Sequence, residues 1–167
     1  MASHQSLRQR FARAVPLTAT RSILMAGLGG FGVIFLLAEV TARFEAGLLI
    51  APFGASCVLV FGLPQSPLAQ PRSVIGGYVV STVMGLLVFS FLGSTALAFG
   101  LGVGLAIVTM LLTKTVHPPA GADPIVVILA GASWSFLVVP VLTGALTIVA
   151  AGMLFRRYVL RHPAPAH

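Results

Sequence analysis

The chain has 167 residues, of which 57% are hydrophobic and only 8% are charged, with a formal net charge of +7. Soluble domains carry about 25% charged residues, so this composition excludes a soluble globule and predicts an integral membrane protein. The single cysteine, Cys57, excludes an intramolecular disulfide and a cysteine-based zinc site.

Seven of the ten Lys and Arg residues lie in the two tails of the chain. Anionic lipid headgroups on the cytoplasmic side of a membrane account for such basic tails, so we expect membrane lipids as partners and no nucleic acid. Residues 1–21 and 156–167 are predicted to be cytoplasmic tails. Residues 22–155 are predicted to form a single transmembrane domain.

Six apolar segments follow one another, at 22–40, 46–63, 74–93, 95–113, 118–139 and 140–155. Each is close to the ~20 residues that a helix needs to cross ~30 Å of hydrocarbon. The pattern predicts an all-α membrane protein with no soluble domain between its segments. Pro140 is the predicted joint between the last two segments.

The second and fifth segments, 46–63 and 118–139, share a motif. PFGASCVLV begins at Pro52 and PAGADPIVV begins at Pro119, so both follow the pattern P-x-G-A-polar-x-V/I-L/V-V. Pro and Gly interrupt helices, and repeated interruptions at membrane depth are typical of transporter binding sites. We therefore predict that both segments are broken or re-entrant helices, in an inverted internal repeat of residues 22–93 and 95–155.

The basic residues also predict the orientation. If all six segments cross and the N-terminus is inside, nine of the ten Lys and Arg residues lie inside and only Arg43 lies outside. If the two motif segments are re-entrant and four segments span, the split is 7 to 3. The positive-inside rule favours the first arrangement. We expect a bacterial inner-membrane protein with both termini in the cytoplasm, and four spans remain the alternative.

The first motif predicts an anion site. A helix that restarts after Pro-x-Gly has amide groups without intrahelical partners, and its dipole is positive there. Such an end can bind a small anion without a buried Lys or Arg. The free donors are predicted near Gly54, Ala55 and Ser56.

The second motif has two interpretations. Asp123 before Pro124 has the pattern of an N-cap followed by proline at the first helical position, so its carboxylate would satisfy an amide donor of its own helix. Alternatively, it is a carboxylate that binds a proton during transport. His117 is either a donor to a backbone carbonyl or a gate for protons or anions, and Lys114 is expected to reach the membrane interface.

Other classes of site have no support in the sequence. It has no recognisable catalytic grouping of Ser, His and Asp, too few clustered ligands for a metal, and no phosphate-binding loop. We expect a protein that is not an enzyme and that carries no metal or cofactor.

Two stretches, APFGASCVLVFGLPQSPLAQPRSVIGGY at 51–78 and HPPAGADP at 117–124, resemble the HPP family of integral membrane proteins. The resemblance implies four spanning helices, and it implies nitrite transport because some members are linked to it in cyanobacteria and chloroplasts. The family-like positions are Pro52, Gly54, Ala55, Ser56, Ser66, Pro67, Gln70, Pro71, Arg72, Gly76, Gly77, His117, Pro118, Pro119, Gly121, Ala122 and Asp123.

These arguments together predict a transporter or channel for a small monovalent anion, with nitrite as the leading substrate. The alternatives are a membrane scaffold or regulatory subunit without transport, and a pore for a small neutral solute. A homo-oligomer, taken to be a dimer, is expected. The candidate substrate-binding residues are Pro52, Gly54, Ala55, Ser56, Gln70, Arg72, Lys114, His117, Pro118, Pro119, Gly121, Ala122 and Asp123.

Overall fold

The computed structural model describes residues 20–44 and 47–160, so the predictions for most of the two basic tails lie outside the described residues. The described residues form helices and connecting loops and contain no strand. The prediction of an all-α membrane protein is therefore confirmed.

The described residues form six helices, which are α1 at Thr20–Phe44, α2 at Ala51–Gly62, α3 at Pro71–Leu92, α4 at Ala96–Thr113, α5 at Pro118–Ala130 and α6 at Trp134–Val159. Two of them begin or end irregularly: α2 widens to a π-helix over Val58–Gly62, and α5 opens with a 3-10 turn at Pro118–Ala122. A kink over Val138–Leu142 interrupts α6 before its regular part at Thr143–Phe155.

Local sequence explains the helix ends. Proline at the first position begins α3 after the extended Gln70, and Thr95 accepts a hydrogen bond of 3.1 Å from the amide of Ala98 at the start of α4. Gly93 and Gly131, which end α3 and α5, have φ angles of +60° and +58°. Glycine adopts this left-handed region without the steric cost of a side chain.

Four of the helices, α1, α3, α4 and α6, are long and apolar enough to cross a membrane. The two motif helices, α2 and α5, have about twelve residues each and extend only ~18 Å at 1.5 Å per residue. Neither helix alone reaches across ~30 Å of hydrocarbon, which agrees with the prediction that both motif segments are broken.

Contacts between helix ends nevertheless show how the chain runs. An Arg72 Nη2 atom donates to the Thr113 carbonyl at 3.0 Å, which joins the start of α3 to the end of α4. The Arg156 guanidinium near the end of α6 donates to Gln70 Oε1 at 2.9 Å. These contacts define one end of the bundle, which we call the Arg156 end. Gly131 lies against Phe89 near the opposite end, the Gly131 end.

The two motif segments therefore run the full distance between these ends. The chain leaves α4 at the Arg156 end, continues through residues 115–117 without helix, and reaches the Gly131 end through α5. The Phe61 ring at the end of α2 packs against Phe155 with centroids 5.4 Å apart, so α2 ends at the Arg156 end. The chain enters α2 from the opposite end of the bundle through residues 47–50, which are also not helical.

The chain thus passes six times between the two ends of the bundle. Four passes are long helices, one of them kinked at Val138–Leu142, and two are broken passes, each made of a non-helical stretch and a short helix. This arrangement reconciles six apolar segments with four helices of spanning length. The break between α5 and α6 lies at 131–133 rather than at Pro140, because Gly131 ends α5 and Pro140 lies inside the kink of α6.

Glycines let the broken passes lie directly against the long helices. A Cβ atom on Gly77 of α3 would lie 2.7 Å from the His117 Cβ, and one on Gly85 would lie 2.7 Å from the Pro124 Cα. A Cβ atom on Gly144 of α6 would overlap the Phe53 ring. Only glycine permits these approaches, so α3 and α6 hold the two broken passes in the core.

Candidate functional site

A group of polar side chains is buried where the two broken passes meet α3. Each of its members has a relative exposure of 0%. Polar groups are costly at membrane depth unless they find partners. The members are Ser56 of α2, Tyr78, Ser81 and Thr82 of α3, His117 before α5, and Asp123 of α5.

Three of these side chains form a hydrogen-bonded chain. Ser56 Oγ lies 2.6 Å from Tyr78 Oη and 2.7 Å from His117 Nε2, and His117 Nδ1 lies 2.8 Å from the Leu68 carbonyl oxygen. A carbonyl oxygen only accepts, so Nδ1 donates to Leu68. In a neutral imidazole Nε2 then accepts from Ser56, and Ser56 accepts from Tyr78. Every proton in this chain is therefore assigned.

Packing fixes the geometry of the chain. The inner face of the first turns of α2 buries Phe53 together with Ser56. The Tyr78 ring packs edge-on against Phe53, with centroids 5.3 Å apart, and lies at the same distance from the His117 ring. The absence of a side chain on Gly77 admits His117 against the backbone of α3.

A second pair lies one helical turn along α3. Thr82 Oγ1 donates to Asp123 Oδ2 at 2.8 Å, and neighbouring Ser81 donates to the Ala120 carbonyl at 2.5 Å. Among the described residues, Asp123 Oδ1 has no hydrogen-bond partner although it is buried. The carboxyl group is thus half-paired in an otherwise packed interior.

The prediction that Asp123 caps its own helix is wrong. Asp123 has helical backbone angles, φ −59° and ψ −40°, and Ala122 precedes the regular helix without a side-chain cap. The 3-10 turn at Pro118–Ala122 leads directly into the helix, so the carboxylate is not in the extended geometry that capping requires. Its partner is Thr82 on another helix.

The predicted position of the free donors in the first motif is also wrong. The helix begins at Ala51 after the extended Ile50, and the Phe53 amide already donates to the Ile50 carbonyl at 3.1 Å. Pro52 sits in the first turn, where a missing amide proton is tolerated. Gly54 and Ser56 therefore lie beyond the positions where helix amides lack partners.

Several predicted site residues lie at the Arg156 end instead of in the buried centre. Gln70 Oε1 accepts from Arg156, Arg72 contacts the end of α4, and Lys114 ends that helix with φ 57°. Arg156, which the sequence did not single out, also donates to the Ala69 carbonyl at 2.8 Å. These contacts join α6 to the loop between α2 and α3.

The remaining motif residues differ in their exposure. Gly54, Ala55, Pro118 and Ala122 are exposed, whereas Pro52 and Pro119 are buried and Gly121 is intermediate. An open apolar groove of about 460 Å³ lies between the two motifs. Its lining residues are Ala55, Val58, Leu59, Pro118 and Pro119.

Sequence reasoning missed Tyr78, Ser81 and Thr82 because they lie within a long apolar span and match no site motif. Their spacing carries the signal that would have found them. Tyr78 and Thr82 are four residues apart, and Ser81 is three from Tyr78, so all three face one side of α3. No group of three or more possible metal-binding side chains occurs in 20–44 or 47–160.

Comparisons with known proteins agree on the type of molecule. A family model described as HPP, transmembrane region, matches residues 15–165. One transmembrane protein of Dictyostelium discoideum is 36% identical over 135 residues, which is 76% of this chain and 43% of that protein. Another from the same organism is 31% identical over 164 residues, covering 91% and 58% of the two chains. The chain spans about half the length of these relatives. No solved structure matches it.

Proposed function

The chain belongs to the HPP family of transmembrane proteins, and we propose that it transports a small monovalent anion, with nitrite as the leading candidate. The observation that carries the proposal is the buried polar centre where the two broken passes meet α3. A membrane scaffold needs only packed apolar helices, whereas polar side chains at membrane depth cost folding free energy and mark solute or ion pathways.

The depth of this centre supports the proposal. Tyr78 lies seven residues into α3, about 10 Å from the Arg156 end, and Thr82 lies about 16 Å from it at 1.5 Å per residue. Half of a ~30 Å hydrocarbon layer is about 15 Å. Thr82 and Asp123 therefore fall near the middle of the membrane, where transporters bind their substrates.

The broken passes give further support. Non-helical backbone at membrane depth is tolerated only inside protein or along a water-filled cavity. The two broken passes run in opposite directions, each as the middle pass of three, which agrees with an inverted repeat of residues 22–93 and 95–155. In transporters of this type, one group of passes moves against the other around a central site.

The proposed transport requires a change of conformation, because the polar centre is enclosed in this structure and a substrate cannot reach it. We propose that α2 and α5 shift relative to α3 and α6, so that the substrate reaches Ser56 and His117 from the groove beside Ala55 and Pro118. Nitrite is small and singly charged, and it can accept hydrogen bonds from the Ser56 hydroxyl and the His117 imidazole once this shift breaks the chain that occupies their protons. Sulfate and phosphate carry more charge and are expected to be excluded.

The orientation follows from the basic residues. Arg72, Lys114 and Arg156 share one end of the bundle, whereas Arg43 lies in the last turn of α1, towards the other end. The positive-inside rule then assigns the Arg156 end to the cytoplasm. We keep the proposal that both termini are cytoplasmic and that the protein forms a homo-oligomer.

One contact favours a different class of function. A serine hydroxyl 2.7 Å from a histidine Nε2 has the geometry of a nucleophile and its base. We prefer a structural and substrate-binding role because both side chains are fully buried and Ser56 Oγ is also bonded to Tyr78. Covalent labelling of Ser56 by a fluorophosphonate, abolished in Ser56→Ala, would favour the enzyme.

The test is nitrite uptake into liposomes that contain the purified protein. We expect Gly54→Val to abolish uptake, because it places a β-branched side chain next to Ala55, which lines the groove. Gly32→Val is the matched control, since an added Cβ atom meets no other atom within 4 Å at either glycine. Equal uptake by the wild type, Gly54→Val and empty liposomes would defeat the proposal.

A further inference from the structure

We infer that Asp123 takes up and releases a proton during each transport cycle, so that one proton accompanies each nitrite ion. This inference rests on the proposed function and adds the coupling ion to it. The starting observation is geometric: Asp123 is fully buried, Oδ2 is bonded to Thr82, and Oδ1 has no hydrogen-bond partner among the described residues.

Within 20–44 and 47–160, the surroundings of Asp123 offer no cation to balance a negative charge. Helix α5 packs against α3 and α4. Tyr78 of α3 is a neutral phenol on the turn beside Thr82, and α4 has no titratable side chain. The one charged side chain of α3, Arg72, lies exposed at the Arg156 end, where it donates to the Thr113 carbonyl. His117 precedes α5, and its ring is held by Ser56 and Leu68.

The only ion pair in the described part of the chain joins Arg43 to Glu39 on the surface, at 3.0 Å. A carboxylate that is buried near the middle of a membrane without a cation strongly favours its neutral form. Asp123 must therefore bind a proton whenever the packing seen here is adopted. When the broken passes open and water enters, the cost of the charge falls and the proton can leave.

This alternation has a balanced stoichiometry. The carboxylate gains a proton from water on one side and forms an O–H bond, and nitrite binds in the same open conformation. After the passes close and reopen on the other side, the O–H bond breaks and both the proton and nitrite are released. The empty protein then returns with Asp123 ionised, through a conformation in which water stays in contact with the carboxylate, so that the proton is not carried back. One positive and one negative charge cross together, so transport moves no net charge and responds to a pH gradient.

The experiment uses liposomes with a pH-sensitive dye trapped inside. Added nitrite should acidify the interior of liposomes with the wild-type protein faster than that of empty liposomes, with a ratio of one proton per nitrite. Acid outside should raise the uptake rate. Asp123→Asn should lose the protein-dependent proton entry. The matched control is Glu39→Gln, the same chemical change in an acid of the surface ion pair, and it should keep the proton entry.

The outcomes separate the two proposals. Wild-type protein that carries nitrite without protons overturns the coupling and leaves transport standing, whether or not the variant folds. Wild-type protein that carries no nitrite overturns both. Proton entry that persists in Asp123→Asn overturns the assignment to this residue. Infrared spectra give a readout independent of flux: the C=O stretching band of a protonated carboxyl group should be present in the wild type and Glu39→Gln and absent in Asp123→Asn.

Discussion

The two breaks carry the same motif but use it differently. Aligned proline on proline, Ser56 of the first motif corresponds to Asp123 of the second. Both side chains point at α3 and find partners four residues apart, Tyr78 and Thr82. Ser56 is bonded on two sides, whereas Asp123 keeps one oxygen without a partner among the described residues. The motif therefore sets where a polar group lies, and the neighbouring elements decide how completely it is paired.

The difference suggests a division of roles. At the first break, Ser56 and His117 connect α2, α3 and the loop at Leu68 through a complete hydrogen-bond chain. Such a chain orders three segments at once. At the second break, a half-paired carboxyl group retains capacity for a proton. We expect the first break to govern stability and substrate binding and the second to govern the response to pH.

The largest effect is expected when labelling determines on which side of the membrane each broken pass ends, since a site is either labelled or not labelled. After Cys57→Ala, single cysteines at the exposed Gln65 and Ser133 follow the first and second broken passes. An impermeant thiol reagent applied to intact cells should label Ser133→Cys and not Gln65→Cys, because the loops lie at opposite ends of the bundle. Labelling of both from outside would show that the passes are re-entrant.

The next largest effect should come from filling the space between α3 and the second break. In Gly77→Val, the new Cβ atom would lie 2.7 Å from the His117 Cβ and 2.8 Å from the Thr115 carbonyl. Overpacking against backbone costs about 3 kcal/mol, so the melting temperature in detergent should fall strongly. Gly32→Val is the control. An equal fall in melting temperature in both variants would show that the close contact of Gly77 with Thr115 and His117 does not contribute to stability.

A somewhat smaller effect is expected from His117→Ala. The substitution leaves a cavity and removes the acceptor for Ser56 and the donor to Leu68. The combined cost should be about 2 kcal/mol of unfolding free energy. The measurement is thermal unfolding in detergent, together with limited proteolysis of the loop at Leu68. Unchanged cleavage there would contradict the ordering role of the histidine.

The smallest effects should come from the two equivalent motif positions, and their ranking tests the comparison directly. Ser56→Ala leaves Tyr78 and His117 without a shared partner and should cost about 1–2 kcal/mol. Asp123→Asn keeps an oxygen that can accept from Thr82 and removes the need to bury a carboxyl group, so it should cost less than about 1 kcal/mol. Chemical unfolding in the same detergent measures both, and the reverse ranking would contradict the division of roles.

The sequence predicted which two segments are broken, but it did not predict where the first short helix starts or what Asp123 contacts. Proline and glycine in apolar runs identified both broken passes, but the first helix starts at Ala51 because proline is tolerated in a first turn. Asp123 before Pro124 has the pattern of a cap, yet the preceding 3-10 turn already supplies the helical geometry. The binding roles of the motif residues, and the domain and repeat boundaries, stay predictions.

What the sequence by itself determined is the class of molecule and the position of its breaks. Its apolar composition requires lipid as the surrounding solvent. The local stereochemistry of proline and glycine interrupts two of the six apolar segments, whatever tertiary contacts those segments make. Only the tertiary structure decided that Ser56 meets Tyr78 and His117 and that Asp123 meets Thr82. Helical periodicity predicts which residues share a face of one helix, but the partner of that face depends on contacts between residues 22 to 61 positions apart. Those contacts form only where glycines such as Gly77 and Gly85 let the broken passes lie against α3.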